Sequence, residues 1–140
     1  MELSQYIKDK LVSEKRVAMP IMTHPGIELL GKRVQDAVTN GEIHYHAIRA
    51  LNECFPQSVA CTTIMDLTVE AEAFGAQLSM SSNEVPSVSG RLLAGYADVE
   101  ALQVPSLESG RVPQYLQADR LAAKGIDKPV LAGCIGPYSL

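Results

Sequence analysis

Three short apolar segments divide this sequence, and they restrict its fold more than any other feature. They cover residues 17–23, 58–65 and 129–137, and each lies next to turn residues. Continuous apolar runs of this length are typical of strands buried on both faces of a parallel sheet. The helices that the apolar periodicity predicts between and around them cover residues 3–16, 27–39, 42–55, 66–74, 97–103 and 112–124. The order predicts an α/β fold in which helices connect parallel strands.

One stretch departs from this pattern. Residues 76–93 combine an alternating segment, a polar loop and a second apolar segment, which predicts an inserted hairpin. The chain has no internal linker, so residues 1–140 are expected to form one unit. Three parallel strands would leave both outer strands with unpaired edges. We therefore expect either self-association through these edges or a longer polypeptide, and the ending at GPYSL favours the longer polypeptide.

Composition excludes several functional classes. The chain has 12 Lys and Arg against 16 Asp and Glu, without a basic block, which argues against nucleic-acid binding. No apolar run approaches the roughly 18–20 residues of a membrane span. The N-terminus is charged throughout, unlike a signal peptide. Three widely spaced cysteines form neither a disulfide framework nor a zinc motif, so we expect a cytoplasmic protein.

Three motifs carry a resemblance to a known family. They are the turn at Thr23–Leu30, the run Ala71–Gly75 that follows Asp66, and the segment Val130–Pro137. In this order and spacing they resemble the uroporphyrinogen decarboxylase superfamily, which includes haem-pathway decarboxylases and methylcobalamin:coenzyme M methyltransferases. The resemblance implies a (β/α)8 TIM barrel. Residues 1–140 would be its N-terminal portion, with about three βα units, a leading helix and the inserted hairpin.

The two branches of the superfamily differ at residues that can be compared here. The decarboxylases resembled carry two arginines after the first strand, but residues 23–28 contain none, and Glu28 would repel a polyanionic porphyrinogen. The stretch Pro86–Gly90 is also similar to the methyltransferases. Asp66, nine residues before Gly75, matches an aspartate of the decarboxylases instead. A decarboxylase of porphyrin biosynthesis therefore stays an alternative, and a non-catalytic oligomerising half-barrel is another.

The favoured resemblance implies transfer of a methyl group from a methylated corrinoid protein to a small thiol. It also implies zinc and a corrinoid for the full-length protein, with zinc bound through a His-x-Cys pair and a later cysteine. No His-x-Cys pair occurs in these 140 residues. We therefore expect this chain to bind neither cofactor alone, and to be inactive alone.

Three side chains are candidates for the site that the resemblance implies. Asp66 would be a catalytic carboxylate at the mouth of the barrel, or the N-cap of the helix that follows. His24 would contact the substrate, or would be an ordinary histidine of a surface loop. Glu28 would bind substrate as well, or would be an acid that the helix dipole favours.

The other residues that could bind a metal or react are predicted to have structural roles. His44 and His46 are two residues apart, and on a helix they would point about 200° from each other, so they cannot share a metal ion. We predict that they lie on a solvated helix face. Cys61 and Cys134 are predicted to be buried, inert thiols.

Overall fold

The computed structural model describes residues 2–136, which form seven helices and four short strands. In chain order these elements are α1 (Leu3–Leu11), α2 (His24–Leu29), α3 (Val34–Val38), α4 (Gly41–Cys54), β1 (Cys61–Thr62), α5 (Val69–Ala73), β2 (Gln77–Ser79), β3 (Ser87–Ser89), α6 (Tyr96–Ala101), α7 (Val112–Gly125) and β4 (Val130–Leu131). The predicted Gly-Pro turn at 136–137 lies partly outside the described residues.

Two of the predicted strands pair as expected. β1 and β4 are parallel, with Cys61 opposite Val130 and Thr62 opposite Leu131. A backbone hydrogen bond on each side, from Cys61 to the carbonyl of Pro129 and from Thr63 to that of Leu131, extends the ladder. The connection between the strands includes α7, as a parallel pair requires a crossover. The mixed helix and sheet class predicted from the sequence is confirmed.

The prediction of a buried strand over residues 17–23 is wrong. This segment has no regular strand, and Val17, Met19 and Ile21 are exposed. Pro20 has no backbone N–H to donate, which weakens any ladder through the segment. Two isolated bonds join the segment to the β1 region: Val59 N–H donates to the carbonyl of Ala18, and Thr23 Oγ1 donates to that of Thr62. The segment therefore lies beside β1 without forming a ladder.

The inserted hairpin is confirmed. β2 and β3 are antiparallel, with Leu78 opposite Val88. Gly75, with a φ of 99°, follows the helix before the hairpin, in the conformation that glycine adopts most easily. The short predicted helix after the hairpin is α6, which begins one residue earlier and ends two residues earlier than predicted.

The core is centred on α4, with α7 packed on one side and α2 and α3 on another. The core residues form two groups: Ile27, Val34, Ala37, Val38, Ala47 and Ile64 in one, and Ile48, Cys61, Ala122 and Ile126 in the other. α2 approaches α4 so closely that a Cβ on Gly26 would collide with the backbone carbonyl of Ala47. Gly26, part of the turn motif, is thus required by helix packing.

α1 is amphipathic but is not buried by the described residues. It ends at Leu11, five residues earlier than predicted, and Leu3, Ile7 and Leu11 are exposed. The Tyr6 hydroxyl donates to the carbonyl of Val59 at 2.5 Å. This bond ties α1 to the chain segment just before β1.

Candidate functional site

The segment that follows β1 carries a buried ion pair. Asp66 has a completely buried side chain, and its Oδ2 lies 2.5 Å from Nη1 of Arg111, whose side chain is 8% exposed. Arg111 directly precedes α7 and lies 45 residues away in sequence. The ion pair therefore fixes the end of β1 to the start of α7.

Three further hydrogen bonds reach the carboxylate of Asp66. Oδ1 accepts from the backbone N–H of Thr68 at 3.0 Å and from the Thr68 hydroxyl at 2.6 Å. Oδ2 accepts from the hydroxyl of Tyr115 on α7 at 2.9 Å. Burial opposes ionisation, but the hydrogen bonds from Arg111 and Thr68 outweigh it, so the pKa of Asp66 lies below its usual range. Asp66 is therefore ionised and fully paired.

Arg111 also binds a second acid. Its Nε donates to Oε2 of Glu72 on α5 at 2.7 Å, and Nη2 donates to the Thr68 hydroxyl at 2.8 Å. Burial alone would lower the pKa of Arg111, but Asp66 and Glu72 raise it above its usual value. Arg111 thus joins three elements: the end of β1, α5 and α7. We call Asp66, Thr68, Glu72, Arg111 and Tyr115 the Arg111 cluster.

His44 on α4 lies against this cluster. Its side chain is completely buried, its Nε2 accepts from the backbone N–H of Ile64 at 2.9 Å, and its ring meets the Tyr115 ring edge-on at 5.1 Å between centroids. Burial lowers the pKa of His44 to about 4, so the ring is neutral and its proton lies on Nδ1. Among the described residues Nδ1 has no hydrogen-bond partner. The prediction of a solvated helix face fits His46, which is exposed, but is wrong for His44.

A groove of about 620 Å³ opens beside the Arg111 cluster. Its walls are residues 64–67, α5, residues 104–107, the first half of α7 and residues 132–134. Met65, Leu67, Val104 and Leu107 are large apolar residues here with exposures of 56%, 53%, 93% and 66%. Cys134, which was predicted to be buried, is exposed in this groove because it follows the end of β4.

Two other carboxylates line the groove without a cation. Glu70 on α5 accepts from the backbone N–H of Ile135 through Oε1 at 3.0 Å. Its Oε2, and Oδ1 of Asp119 on α7, are shielded from solvent and have no hydrogen-bond partner in the described part of the chain. Burial raises the pKa of Asp119 above its usual value. The groove therefore has apolar walls and two uncompensated acids.

The three predicted site residues do not meet in one place. Asp66 lies at the groove wall with its carboxylate fully engaged, while His24 and Glu28 are exposed on α2. No hydrogen bond or ion pair within residues 2–136 joins either of them to Asp66. The alternative that Asp66 caps the next helix is wrong, because α5 begins at Val69 with Thr68 at the N-cap position. Asp66 instead forms a turn with Thr68 just before that helix.

The sequence interpretation missed most of the cluster. Nothing near Arg111 in sequence indicates a buried arginine, since its partners lie 39 and 45 residues earlier. His44 did leave a signal: it lies three residues before Ala47 and four before Ile48, on the apolar stripe of α4. Periodicity alone could therefore have placed His44 in the core.

Residues 2–136 contain neither a metal-binding cluster nor a helix that could span a membrane. No group of three His, Cys, Asp or Glu side chains lies close enough to hold a metal ion. The helices of this part of the chain are also too short or too polar to cross a membrane. The described residues therefore offer no zinc ligand set.

Comparison with known proteins gives three findings. Residues 16–140 match the family described as uroporphyrinogen decarboxylase (URO-D). The methylcobamide:CoM methyltransferase MtbA of Methanosarcina acetivorans is 35% identical over 78 residues, which are 54% of this chain and 23% of MtbA. A solved methyltransferase structure from Methanosarcina mazei matches 96% of this chain with a TM-score of 0.74 and 27% identity.

The match covers only part of each relative, since the chain spans 42% of the length of the M. mazei structure. The family match, by contrast, covers nearly the whole of this chain. The resemblance inferred from the turn at Thr23–Leu30, from Ala71–Gly75 and from Val130–Pro137 is thereby confirmed. The chain belongs to the uroporphyrinogen decarboxylase (URO-D) family.

Proposed function

We propose that this chain is the N-terminal portion of a corrinoid-dependent methyltransferase that acts in the cytoplasm. The reaction would move a methyl group from a methylated corrinoid protein to a small thiol. The observation that carries the proposal is the likeness, over 96% of this chain, to a methyltransferase structure, joined by the identity with MtbA. In this proposal residues 1–140 supply the first part of a TIM barrel, which includes the parallel strands β1 and β4.

The Arg111 cluster supports a revised role for Asp66. Both of its oxygens are taken by protein donors, so a ligand would have to displace Arg111, Tyr115 or Thr68 to bind it. Asp66 is therefore a positioning residue, which holds the segment after β1 in place. In TIM-barrel enzymes such segments line the active site. His24 and Glu28 are exposed and free to contact a substrate or a docking protein.

Zinc and a corrinoid belong to the proposal only through the longer protein. Residues 2–136 do not provide the ligands that zinc needs, so no step of the reaction can be assigned to zinc on this chain. We accordingly expect the 140-residue chain alone to be inactive.

The decarboxylase alternative is less well supported. It rests on Asp66, which would have to hydrogen-bond the pyrrole nitrogens of a porphyrinogen. The carboxylate is instead neutralised by Arg111, and Thr23 and Ile27 stand where the decarboxylases resembled carry their two arginines. The third candidate, a non-catalytic oligomer, is favoured by the exposed apolar side chains of α1.

One experiment separates the three candidates. The intact mass of the native gene product is measured, and that product is assayed for methyl transfer from a methylated corrinoid protein to coenzyme M and for decarboxylation of uroporphyrinogen. We expect a native product whose mass exceeds 15.1 kDa and which has methyl-transfer activity. The 140-residue chain should have no activity. Decarboxylation without methyl transfer would select the decarboxylase. A native 15.1 kDa oligomer without either activity would select the non-catalytic alternative.

A further inference from the structure

The segment that follows the hairpin carries apolar side chains that the described residues leave exposed. Every residue from Ser87 to Val104 is exposed, and α6 contains no buried residue. More than half of this stretch is apolar, and its only charged residues are Arg91, Asp98 and Glu100. Clustered exposed apolar residues, unlike single ones, indicate an interaction surface. We call the following side chains the α6 surface: Leu92, Leu93, Tyr96, Val99 and Leu102.

The members of the α6 surface are neighbours. Tyr96, Val99 and Leu102 follow one another at intervals of three residues, so they lie along one side of α6. Leu102 also lines a shallow groove together with Leu92 and Leu93. The five side chains therefore form one surface, which extends from the end of the hairpin to the end of α6.

This surface has a defined shape although α6 is short. A helix of six residues is not stable by itself in water. Here the carboxylate of Asp98 accepts from the backbone N–H of Ala94 at 2.7 Å and from that of Gly95 at 3.0 Å. These two bonds cap the start of α6 and hold Tyr96 and Val99 in place for a partner.

The α6 surface lies on the side of the sheet where the parallel strands end. The hairpin and α6 belong to the connection between the carboxyl end of β1 and the start of α7. The groove at the α6 surface shares Phe74, Val104 and Pro105 with the groove beside the Arg111 cluster. Since TIM-barrel enzymes have their active sites at the carboxyl ends of the strands, the α6 surface continues outward from the proposed active site.

The composition and the position of the α6 surface favour a protein that binds and leaves. Few charges and an exposed tyrosine, here Tyr96 at 79%, are typical of the centre of a protein–protein interface. A second copy bound permanently at this place would obstruct the adjoining groove. Under the proposed function the methyl donor is itself a protein, and it has to approach the same side of the barrel.

We propose that the α6 surface is the docking site of the methylated corrinoid protein. Tyr96 and Val99 would contact that protein directly, outside the groove in which the methyl group is transferred. This inference rests on the proposed function, because the proposed reaction supplies the partner. It adds the part of the chain that recognises the protein rather than the methyl group.

The test uses the native gene product and a methylated corrinoid protein from the same organism. Amide hydrogen exchange in α6 should be fast in the product alone and slower after the corrinoid protein is added. Replacing both Tyr96→Ser and Val99→Ser should weaken the affinity for the corrinoid protein, measured by calorimetry, by roughly tenfold or more. The double variant should still transfer methyl groups from free methylcobalamin at the rate of the wild type, since a small donor does not need the docking surface.

A matched control tests whether the effect is local. Leu11→Ser also replaces an exposed apolar residue, 79% exposed, but it lies at the end of α1. The hydroxyl bond of Tyr6 ties α1 to the segment before β1, on the opposite side of the sheet from the α6 surface. This control should bind the corrinoid protein like the wild type, and circular dichroism should show that each variant is folded.

Several results would overturn the proposal. Slow exchange in α6 before the corrinoid protein is added would mean that another part of the longer protein, or a second copy, covers the surface. Unchanged affinity in the double variant, or an equal loss in Leu11→Ser, would exclude α6 as the docking site. The proposed reaction fails separately: protection of α6 by the corrinoid protein without methyl transfer would keep the docking site and reject the reaction, whereas methyl transfer without protection would do the reverse.

Discussion

Asp66 and Glu70 lie four residues apart, yet their carboxylates have opposite surroundings. Asp66 accepts hydrogen bonds from Arg111, Tyr115 and Thr68, whereas Oε2 of Glu70 is buried and has no hydrogen-bond partner within residues 2–136. Asp66 follows the end of a strand, yet it is the acid whose carboxylate is fully occupied by protein donors. The difference lies in Arg111, which directly precedes α7 and pairs with Asp66, whereas no cation of the described residues forms an ion pair with Glu70.

The largest expected effect on stability comes from removing the positive charge of Arg111. Arg111→Met leaves Asp66 buried and uncompensated, and we expect it to destabilise the chain by about 3–5 kcal/mol in urea unfolding. Arg33→Met is the matched control, because Arg33 also pairs with an aspartate, Asp36, but on the surface. That control should unfold like the wild type. Equal unfolding midpoints for the two variants would contradict the stabilising role of the buried pair.

The next effect depends on pH and on His44. Its pKa of about 4 in the folded chain lies below the ordinary value of 6.5, so the unfolded chain takes up the proton first as the pH falls. The contribution of the neutral His44 ring to the free energy of unfolding is complete above pH 6.5. It is lost between pH 6.5 and 4, by about 3 kcal/mol at most. His44→Gln keeps an acceptor for Ile64 and should flatten the stability profile between pH 6.5 and 4.5, whereas His46→Gln should not.

A smaller effect is expected at Tyr115. Tyr115→Phe keeps the ring against His44 but removes the hydroxyl that donates to Asp66. Loss of a hydrogen bond to a buried charge should destabilise the chain by about 2 kcal/mol. Tyr96→Phe, at a residue that is 79% exposed, serves as the control. If both variants unfold at the same urea concentration, the hydroxyl bond does not stabilise Asp66.

The smallest effect on stability is expected at Asp119, and it can be compared directly with the same substitution at Asp66. Asp119→Asn removes a charge that has no partner in the described part of the chain, so we expect a change of less than about 1 kcal/mol, neutral or stabilising in sign. The same substitution at Asp66 should be clearly destabilising, because Arg111 would lose the partner that it binds at 2.5 Å. A loss of stability in Asp119→Asn as large as in Asp66→Asn would mean that Asp119 is paired in solution.

The sequence predicted helices and the hairpin better than it predicted the contacts between distant segments. α4 and α7 have strong apolar periodicity, and the hairpin follows from local alternation, so all three were predictable. The segment at 17–23 was not, because an apolar run shows that a strand is possible but not whether a neighbouring ladder forms beside Pro20. Strand pairing, like burial, depends on distant parts of the chain.

The same limit applies to the candidate site. The sequence placed Asp66 after the second apolar segment, which is correct, and gave it a ligand-binding role that depends on its free oxygens. Whether those oxygens are free is decided by Arg111, whose effect is exerted across 45 residues. The pattern of one segment cannot predict a partner that lies 45 residues away. The burial of His44 could be predicted, because the apolar stripe that contains it lies within one helix.

Arg111 is shared between Asp66 and Glu72, and this sharing has an evolutionary consequence. Loss of Arg111 leaves two carboxylates without their cation, and that of Asp66 is completely buried, whereas loss of Glu72 leaves Asp66 and Arg111 as a balanced pair. A lineage that loses Arg111 while it keeps Asp66 is therefore disfavoured, whereas loss of Glu72 alone should be tolerated more readily. Among descendants of this chain, positions 66 and 111 should covary, although they lie 45 residues apart.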